Sequence, residues 1–156
     1  MGQGEMVGPL DGAVGYALKR AATALRVAMD AALRPLDLTV PQYSCLEVLS
    51  QRPGLSNAEL ARAVFVTRQS MNLVLRGLQD RGLVTRPATA SHGRALPSEL
   101  TSAGRTQLRA ASIAVRAVEK RMLSPFSETR QSRLLQDLIA CTDAVAVHDD
   151  GREAES

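Results

Sequence analysis

Residues 56–104 decide the fold of this chain, and they read SNAELARAVFVTRQSMNLVLRGLQDRGLVTRPATASHGRALPSELTSAG. Ser56 and Glu59 have the spacing of a capping box, in which each side chain accepts a hydrogen bond from the other residue's backbone N–H at the start of a helix. Thr67, a residue type that favours the N-cap position, opens a second helix shortly afterwards. Gly82 then provides the glycine that commonly follows the end of a helix. The stretch therefore predicts two short consecutive helices.

The second of these helices has two different faces. Its apolar residues follow the i, i+3, i+4, i+7 spacing of a helix packed on a core, and they are Met71, Val74, Leu75 and Leu78. The opposite face carries Gln69, Asn72, Leu73 and Arg76, with Arg68 beside them. No acidic residue occurs between Thr67 and Gln79, and Arg, Gln and Asn are the side chains that pair with base edges in DNA. This pattern predicts a helix-turn-helix whose second helix reads the major groove.

A β-hairpin is expected directly after the helix-turn-helix. Residues 83–86 form a short β-prone run, residues 87–95 are rich in turn-forming types, and residues 96–100 can return as a second strand. A helix-turn-helix followed by a hairpin is a winged helix. We expect the hairpin tip, which contains His92 and Arg94, to reach an adjacent minor groove or a phosphate.

Long amphipathic helices are predicted on both sides of this module. One covers residues 13–36, and two more begin at Thr101 and at Ser127, which follows the helix-breaking Pro125. A shorter helix begins at a second capping box, Thr39 with Gln42, and it carries Cys45 on its apolar face. The apolar stripes of the long helices exceed what one small domain can cover. They therefore favour a homodimer with twofold symmetry.

The predicted fold class is mainly α, with a three-helix core, a β-hairpin wing and long terminal helices that form a dimerisation domain. The expected boundaries are a flexible arm over residues 1–12, dimerisation helices over 13–36 and 102–148, the DNA-binding winged helix over 37–101, and a disordered acidic tail over 149–156. Residues 56–104 contain six arginines and three acidic residues, whereas the tail contains one arginine and four acidic residues. The basic charge thus lies on the predicted DNA reader.

Other classes of protein are disfavoured by the composition. No apolar run reaches the length of a membrane span and no signal peptide is apparent, so we expect a cytoplasmic protein without a membrane partner. The only histidines are His92 and His148, and no common catalytic or metal-binding motif is present. We expect no enzymatic activity, no metal and no cofactor. Cys45 and Cys141 are expected to be buried, reduced thiols.

The order of these elements and several short motifs resemble the MarR family of bacterial transcriptional regulators. The resemblance covers roughly residues 14–147. Its most specific pieces are Leu38-Thr39-Val40-Pro41-Gln42-Tyr43, the helix-turn-helix ending in Arg81-Gly82-Leu83-Val84, and Gly93-Arg94 followed by Leu100-Thr101-Ser102-Ala103-Gly104. Each piece is weak alone, but together they are specific.

The resemblance implies a dimer with interlocked terminal helices, a palindromic operator of double-stranded DNA, and most often repression. The residues that we assign to DNA contacts are Ser56, Asn57, Thr67, Arg68, Gln69, Ser70, Asn72, Leu73, Arg76, His92 and Arg94. The chain departs from the family pattern at His92, where an Asp usually holds the wing arginine, and at Pro97. Because Pro97 cannot donate to a strand ladder, the returning strand is expected to be short or paired on one side only.

The resemblance also implies a small aromatic or phenolic effector that releases the regulator from DNA. By position, Tyr16 and Arg20 on the first helix and Tyr43 on the second are candidates for its pocket. A tyrosine on an amphipathic helix is otherwise a core residue with its hydroxyl at the rim. Two alternatives stay open from the sequence: a winged helix that binds protein instead of DNA, and a regulator that senses oxidants through a cysteine.

Overall fold

The computed structural model describes residues 9–86 and 97–146. Within these residues the chain forms six α-helices and two short strands. In chain order they are α1 (Val14–Leu33), α2 (Val40–Gln51), α3 (Asn57–Val64), α4 (Arg68–Asp80), β1 (Val84–Thr85), β2 (Glu99–Leu100), α5 (Ser102–Leu123) and α6 (Glu128–Val145). The predicted mainly α fold with a winged helix-turn-helix is confirmed.

The first long helix ends earlier than the sequence pattern predicts. α1 stops at Leu33, and residues Arg34–Leu36 form a single 3₁₀ turn. Pro35 explains the change, because it has no backbone N–H and its ring crowds the preceding turn of an α-helix. Asp37 then adopts a left-handed conformation with φ of 53°, which redirects the chain toward α2.

Both predicted capping boxes are present. The hydroxyl of Thr39 accepts a hydrogen bond from the backbone N–H of Gln42 at 3.2 Å, and the Gln42 side chain accepts from the backbone of Thr39 at 3.0 Å. Ser56 and Glu59 make the same reciprocal pair at 3.2 and 2.7 Å. These contacts satisfy backbone donors that would otherwise lack partners, and they set the starts of α2 and α3.

The core of the winged region is contributed by helices that are adjacent in the chain. Its largest fully buried side chains are Leu33, Leu46, Leu60, Met71, Leu75, Leu78 and Val84, together with Cys45. They come from the end of α1, from α2, α3 and α4, and from β1. The apolar face predicted for α4 therefore packs inward, with Val74 half-buried at its edge.

The two strands pair antiparallel, with Val84 opposite Leu100 and Thr85 opposite Glu99. Each strand has only two residues, fewer than residues 83–86 and 96–100 would allow. Pro97 lies just before β2 and cannot donate a hydrogen bond, so the ladder is short, as its presence predicts. The tip of the wing, residues 87–96, lies outside the described residues.

The start of α5 is joined closely to the turn after α4. The Thr101 hydroxyl donates to the carbonyl oxygen of Gly82 at 2.6 Å and accepts from the backbone N–H of Gly104 at 3.0 Å. A Cβ atom on Gly104 would lie 2.1 Å from the carbonyl oxygen of Leu83. Only glycine fits at this position, which gives a physical reason for the Thr101-Ser102-Ala103-Gly104 motif.

The chain divides into two compact units, the first extending to Glu119 and the second beginning at Lys120. α6 belongs to the second unit, and none of its residues, all of which are described, is buried. Its apolar residues Leu135, Leu138 and Ile139 are 61 %, 40 % and 51 % exposed. Over residues 9–86 and 97–146, no helix combines the length and apolar character required to span a membrane.

Candidate nucleic-acid interface

The outer face of α4 is presented to solvent on a rigid base. Arg68, Gln69, Asn72 and Arg76 are all exposed, and Leu73 is 67 % exposed. On the opposite side of the same helix, Met71, Leu75 and Leu78 are fully buried. Because the buried residues hold the helix in one orientation, the outer side chains are displayed together as a preorganised surface.

The first turn of α4 is held by its own hydroxyl groups. The Thr67 hydroxyl accepts a hydrogen bond from the backbone N–H of Ser70 at 3.1 Å and donates to the Ser70 hydroxyl at 3.0 Å. Both residues are exposed, so the surface formed by this turn remains available to a ligand. The positive end of the helix dipole lies at this turn and favours an anion such as a phosphate.

A side-chain hydrogen bond connects the two helices of the helix-turn-helix at this surface. The Asn57 amide nitrogen donates to the Asn72 amide oxygen at 3.0 Å, which joins the first residue of α3 to the middle of α4. This bond leaves the amide N–H groups of Asn72 as donors for an external acceptor. Two residues predicted separately from the sequence are thus brought into one unit.

A cleft of about 520 Å³ runs beside these residues. Its walls are formed by residues 54–59 before and in the first turn of α3, by Arg68 and Asn72 on α4, and by Pro97 before β2. The cleft therefore gathers Ser56, Asn57, Arg68 and Asn72, four of the residues predicted to contact DNA. It lies where the helix-turn-helix meets the base of the wing.

The one carboxylate in this cleft is tied to the backbone. Glu59 accepts a hydrogen bond from the backbone N–H of Ser56 at 2.7 Å, and this bond holds the pKa of Glu59 below its usual range. The carboxylate is thus occupied in capping α3. Ser56 is similarly engaged, because its hydroxyl accepts a hydrogen bond from the backbone N–H of Glu59.

Two of the residues predicted to contact DNA belong to the segment between β1 and β2. His92 and Arg94 lie in residues 87–96, outside the described part of the chain. The short β1–β2 ladder fixes where the wing begins and ends, at Thr85 and Glu99.

A hollow on α1 brings together two of the three residues predicted for an effector pocket. Tyr16 and Arg20 are exposed on α1, where the guanidinium carbon lies 5.9 Å from the centre of the ring. Both line a shallow hollow of about 400 Å³ together with Lys19, Thr23 and Ala24. Tyr43 is buried on α2, and this burial raises the pKa of its hydroxyl.

The two cysteines differ in exposure. Cys45 is fully buried, and this burial raises the pKa of its thiol to about 12, so the reactive thiolate is scarce at neutral pH. Cys141 was expected to be buried, but this prediction is wrong for the single chain, because the residue is exposed on α6. The reason is that α6 has no buried face within the chain, so that its small apolar residues have no core to enter.

Two features of the site have no clear signal in the sequence. Arg81 donates hydrogen bonds to the carbonyl oxygens of Asp37 and Leu36 at 2.6 and 3.3 Å, and Gln107 donates to Leu36 at 2.8 Å. These contacts hold the end of α4 and the start of α5 against the junction between α1 and α2. Phe65, in the turn before α4, is the other feature, since it adopts a left-handed conformation and is exposed.

This arrangement of a helix-turn-helix, a two-stranded wing and flanking long helices defines the class of winged-helix proteins. The MarR family model matches residues 36–95 of the chain. The HTH-type transcriptional repressor Rv2887 of Mycobacterium tuberculosis is 48 % identical over 131 residues, which cover 82 % of this chain and 94 % of that protein.

Two crystal structures of the M. tuberculosis protein are also similar to this chain. Its complex with salicylic acid has a TM-score of 0.70 and 46 % identity, covering 84 % of this chain and 97 % of the other. Its complex with DNA has a TM-score of 0.71 and 44 % identity, covering 84 % and 98 %. The chain belongs to the MarR family, whose members are regulators of transcription and not enzymes.

Proposed function

We propose that this protein is a homodimeric repressor that binds a palindromic operator and is released by a small aromatic acid. One observation carries the DNA-binding part of the proposal. The outer face of α4 presents Arg, Gln and Asn side chains, without an acidic residue, on a helix whose opposite side buries Met71, Leu75 and Leu78 completely. The shape and hydrogen-bonding groups of such a face suit the edges of bases in a major groove.

The residues of this face have distinct roles in the proposal. Arg68, Gln69, Asn72 and Arg76 read base edges, and Leu73 adds an apolar contact. Ser56, Asn57, Thr67 and Ser70 lie at the first turns of α3 and α4, where helix N-termini favour a phosphate. His92 and Arg94 extend the interface from the wing into the minor groove. A regulator with these contacts acts in the cytoplasm.

The exposed apolar residues of α1 and α6 support the homodimer. Val14 and Leu18 of α1, and Leu135 and Ile139 of α6, are all at least 46 % exposed in the single chain. A second copy related by a twofold axis would cover such faces in pairs. Two winged helices would then face half-sites about 34–36 Å apart, one turn of DNA, or a multiple of that spacing.

The complex of the M. tuberculosis relative with salicylic acid supports an aromatic carboxylate as the effector class. Arg20 and Tyr16 provide a cation beside an aromatic ring in the hollow on α1, and Tyr43 provides a buried hydroxyl on α2. Calorimetric titration of the protein with salicylate tests whether an aromatic carboxylate binds. Arg20→Ala should weaken the binding if the guanidinium pairs with the carboxylate, whereas benzyl alcohol, which lacks the charge, should bind poorly to the parent protein.

Selection of bound duplexes from a random DNA pool tests the DNA-binding part. We expect the parent protein to recover a palindromic sequence. If Arg76 makes a bidentate contact with a guanine, Arg76→Ala should cost about 1–3 kcal/mol and relax the preference at one base pair of each half-site. Arg133→Ala on α6 is the matched control, since it removes the same charge from an exposed helical position outside α4. Failure of the folded parent to select any sequence would contradict the proposal and favour a protein-binding winged helix.

A further inference from the structure

Phe65 occupies the turn between α3 and α4 in a way that the fold does not require. Its backbone has φ of 62°, in the left-handed region, and its side chain is 94 % exposed. The turn itself is set by backbone hydrogen bonds, from Phe65 to the carbonyl of Arg62 at 3.3 Å and from Val66 to that of Ala61 at 3.0 Å. Glycine would adopt this turn without strain, because it has no Cβ atom.

The Phe65 side chain is therefore unfavourable in the isolated chain for two independent reasons. A left-handed conformation is strained for a bulky residue, and a large apolar ring is left in water. The core beneath the turn is complete without it, since Leu60, Ala61 and Val64 of α3 are already buried. An outlier of this kind points to a contact with something other than the core.

The surroundings of Phe65 indicate the nature of that contact. Arg62 and Arg68 lie three residues before and after it, both exposed, and no acidic residue occurs from Leu60 to Gln79. The turn also leads directly into Thr67, the N-cap of α4, so Phe65 lies two residues before the cap of the helix that carries the proposed DNA-reading face. An exposed aromatic residue with an exposed arginine three residues before it and another three residues after it suits a polyanion that also offers an apolar group. In the major groove that group is the 5-methyl of thymine.

We propose that Phe65 is a specificity-determining residue that packs its ring on a thymine methyl group of the operator, at the edge of the bases read by α4. This inference rests on the proposed DNA-binding function. The cation at position 62 would hold a flanking phosphate while the ring lies on the base edge. The conformational strain at Phe65 is then offset in the complex by burial of the ring.

Phe65→Gly separates the effect of the Phe65 side chain on stability from its effect on DNA binding. The variant should have an unchanged or higher melting temperature, because the left-handed conformation no longer carries a side chain. Its affinity for the duplex selected by the parent protein should fall by at least about fourfold, the value expected for burial of one methyl group. Replacing single thymines of that duplex by deoxyuridine should weaken the parent at one or two positions per half-site, and Phe65→Gly should not respond at those positions.

Three further variants test whether the loss of DNA affinity is due to the aromatic ring of Phe65. Asp37→Gly removes the same left-handed strain at the junction of α1 and α2, and it should not reduce the affinity. Phe65→Asn tolerates the left-handed turn but lacks the apolar ring, so it should bind as weakly as Phe65→Gly. Phe65→Leu should recover part of the affinity and the response to deoxyuridine.

Three results would overturn the inference. The first is an unchanged affinity and sequence preference in folded Phe65→Gly. The second is an equal loss on all duplexes without any deoxyuridine response, which would place the ring on the sugar-phosphate backbone. The third is dissociation of the assembly in Phe65→Gly, measured by sedimentation, which would place the ring against a second copy. If the parent protein itself selects no sequence, the proposed function fails separately.

Discussion

Helices α4 and α6 carry similar apolar stripes, yet one stripe is buried and the other is exposed. In α4, Met71, Leu75 and Leu78 have no exposed surface, because α2, α3 and β1 pack against this helix. In α6, Leu135 and Ile139 are more than half exposed. Both stripes follow the spacing of a helix that buries one face. The winged region thus completes its core with residues of one chain, whereas the stripe of α6 stays exposed in the single chain.

A similar contrast between buried and exposed residues is found within α4, whose two faces have different roles. Its inner residues fix the orientation of the helix, and its outer residues, from Arg68 to Arg76, are free to contact a ligand. A variant on the inner face should therefore change the free energy of unfolding, a variant on the outer face should change DNA affinity, and a variant on the stripe of α6 should change the assembly. Leu75→Ala tests the first assignment and Leu135→Asp the third, whereas Gly104→Ala and Gly77→Ala test two packing contacts of the winged region.

Leu75→Ala should have the largest effect on stability. Removing a fully buried leucine side chain leaves a cavity and costs about 2–5 kcal/mol in the free energy of unfolding. Leu73→Ala is the matched control in the same helix, and it should change stability by less than about 0.5 kcal/mol because Leu73 is exposed. Denaturant unfolding at one fixed protein concentration measures both. Equal losses in the two variants would show that the inner and outer faces of α4 are not distinct.

Leu135→Asp should dissociate the homodimer. Placing a carboxylate in an apolar interface should weaken association by about 2–4 kcal/mol, roughly thirtyfold to a thousandfold in the dissociation constant. The parent should sediment at about twice the chain mass of 16.7 kDa at micromolar concentration. Gln136→Asp adds the same charge to the neighbouring, polar position of α6 and should leave the dimer intact. A parent protein that sediments as a folded monomer would remove the dimer and the palindromic operator together.

Gly104→Ala should destabilise the winged region by about 1–3 kcal/mol or more, as expected for overpacking at a rigid contact. The new methyl group would overlap the carbonyl oxygen of Leu83, which is held by the backbone N–H of Thr101 at 3.1 Å and cannot move away cheaply. Thermal unfolding followed by circular dichroism measures the loss. Ala103→Gly, one position earlier at an exposed site, serves as a control that alters helix propensity without this clash.

Gly77→Ala should have the smallest effect and the opposite sign. Alanine in a helix interior is about 0.5–1 kcal/mol more favourable than glycine. The nearest atom to the new methyl group would be the side-chain nitrogen of Gln42 at 3.4 Å, which is an ordinary contact with the end of a flexible side chain. A small rise in melting temperature is expected. A decrease would mean that the capping box formed by Gln42 prevents its side chain from adjusting.

Much of the fold could be predicted from short stretches of sequence. The capping boxes at Thr39 and Ser56, the N-cap at Thr67 and the glycine at position 82 each act within a few residues, so their effect is visible without the rest of the chain. The exposure of Arg68, Gln69, Asn72 and Arg76 could also be predicted, because it follows from helical periodicity once the apolar face is known.

Other properties were decided by the tertiary structure. One example is the hydrogen bond between the side chains of Asn57 and Asn72. Another is the pair of hydrogen bonds from Arg81 to the carbonyl oxygens of residues 36 and 37. Both join positions that are far apart in sequence, so no local sequence pattern predicts them. The hollow on α1 contains Tyr16 and Arg20 without Tyr43 among its lining residues, and this too depends on tertiary packing. Periodicity tells that a helix has an apolar face but not what covers it, and this is why Cys141 was expected to be buried although α6 leaves it exposed.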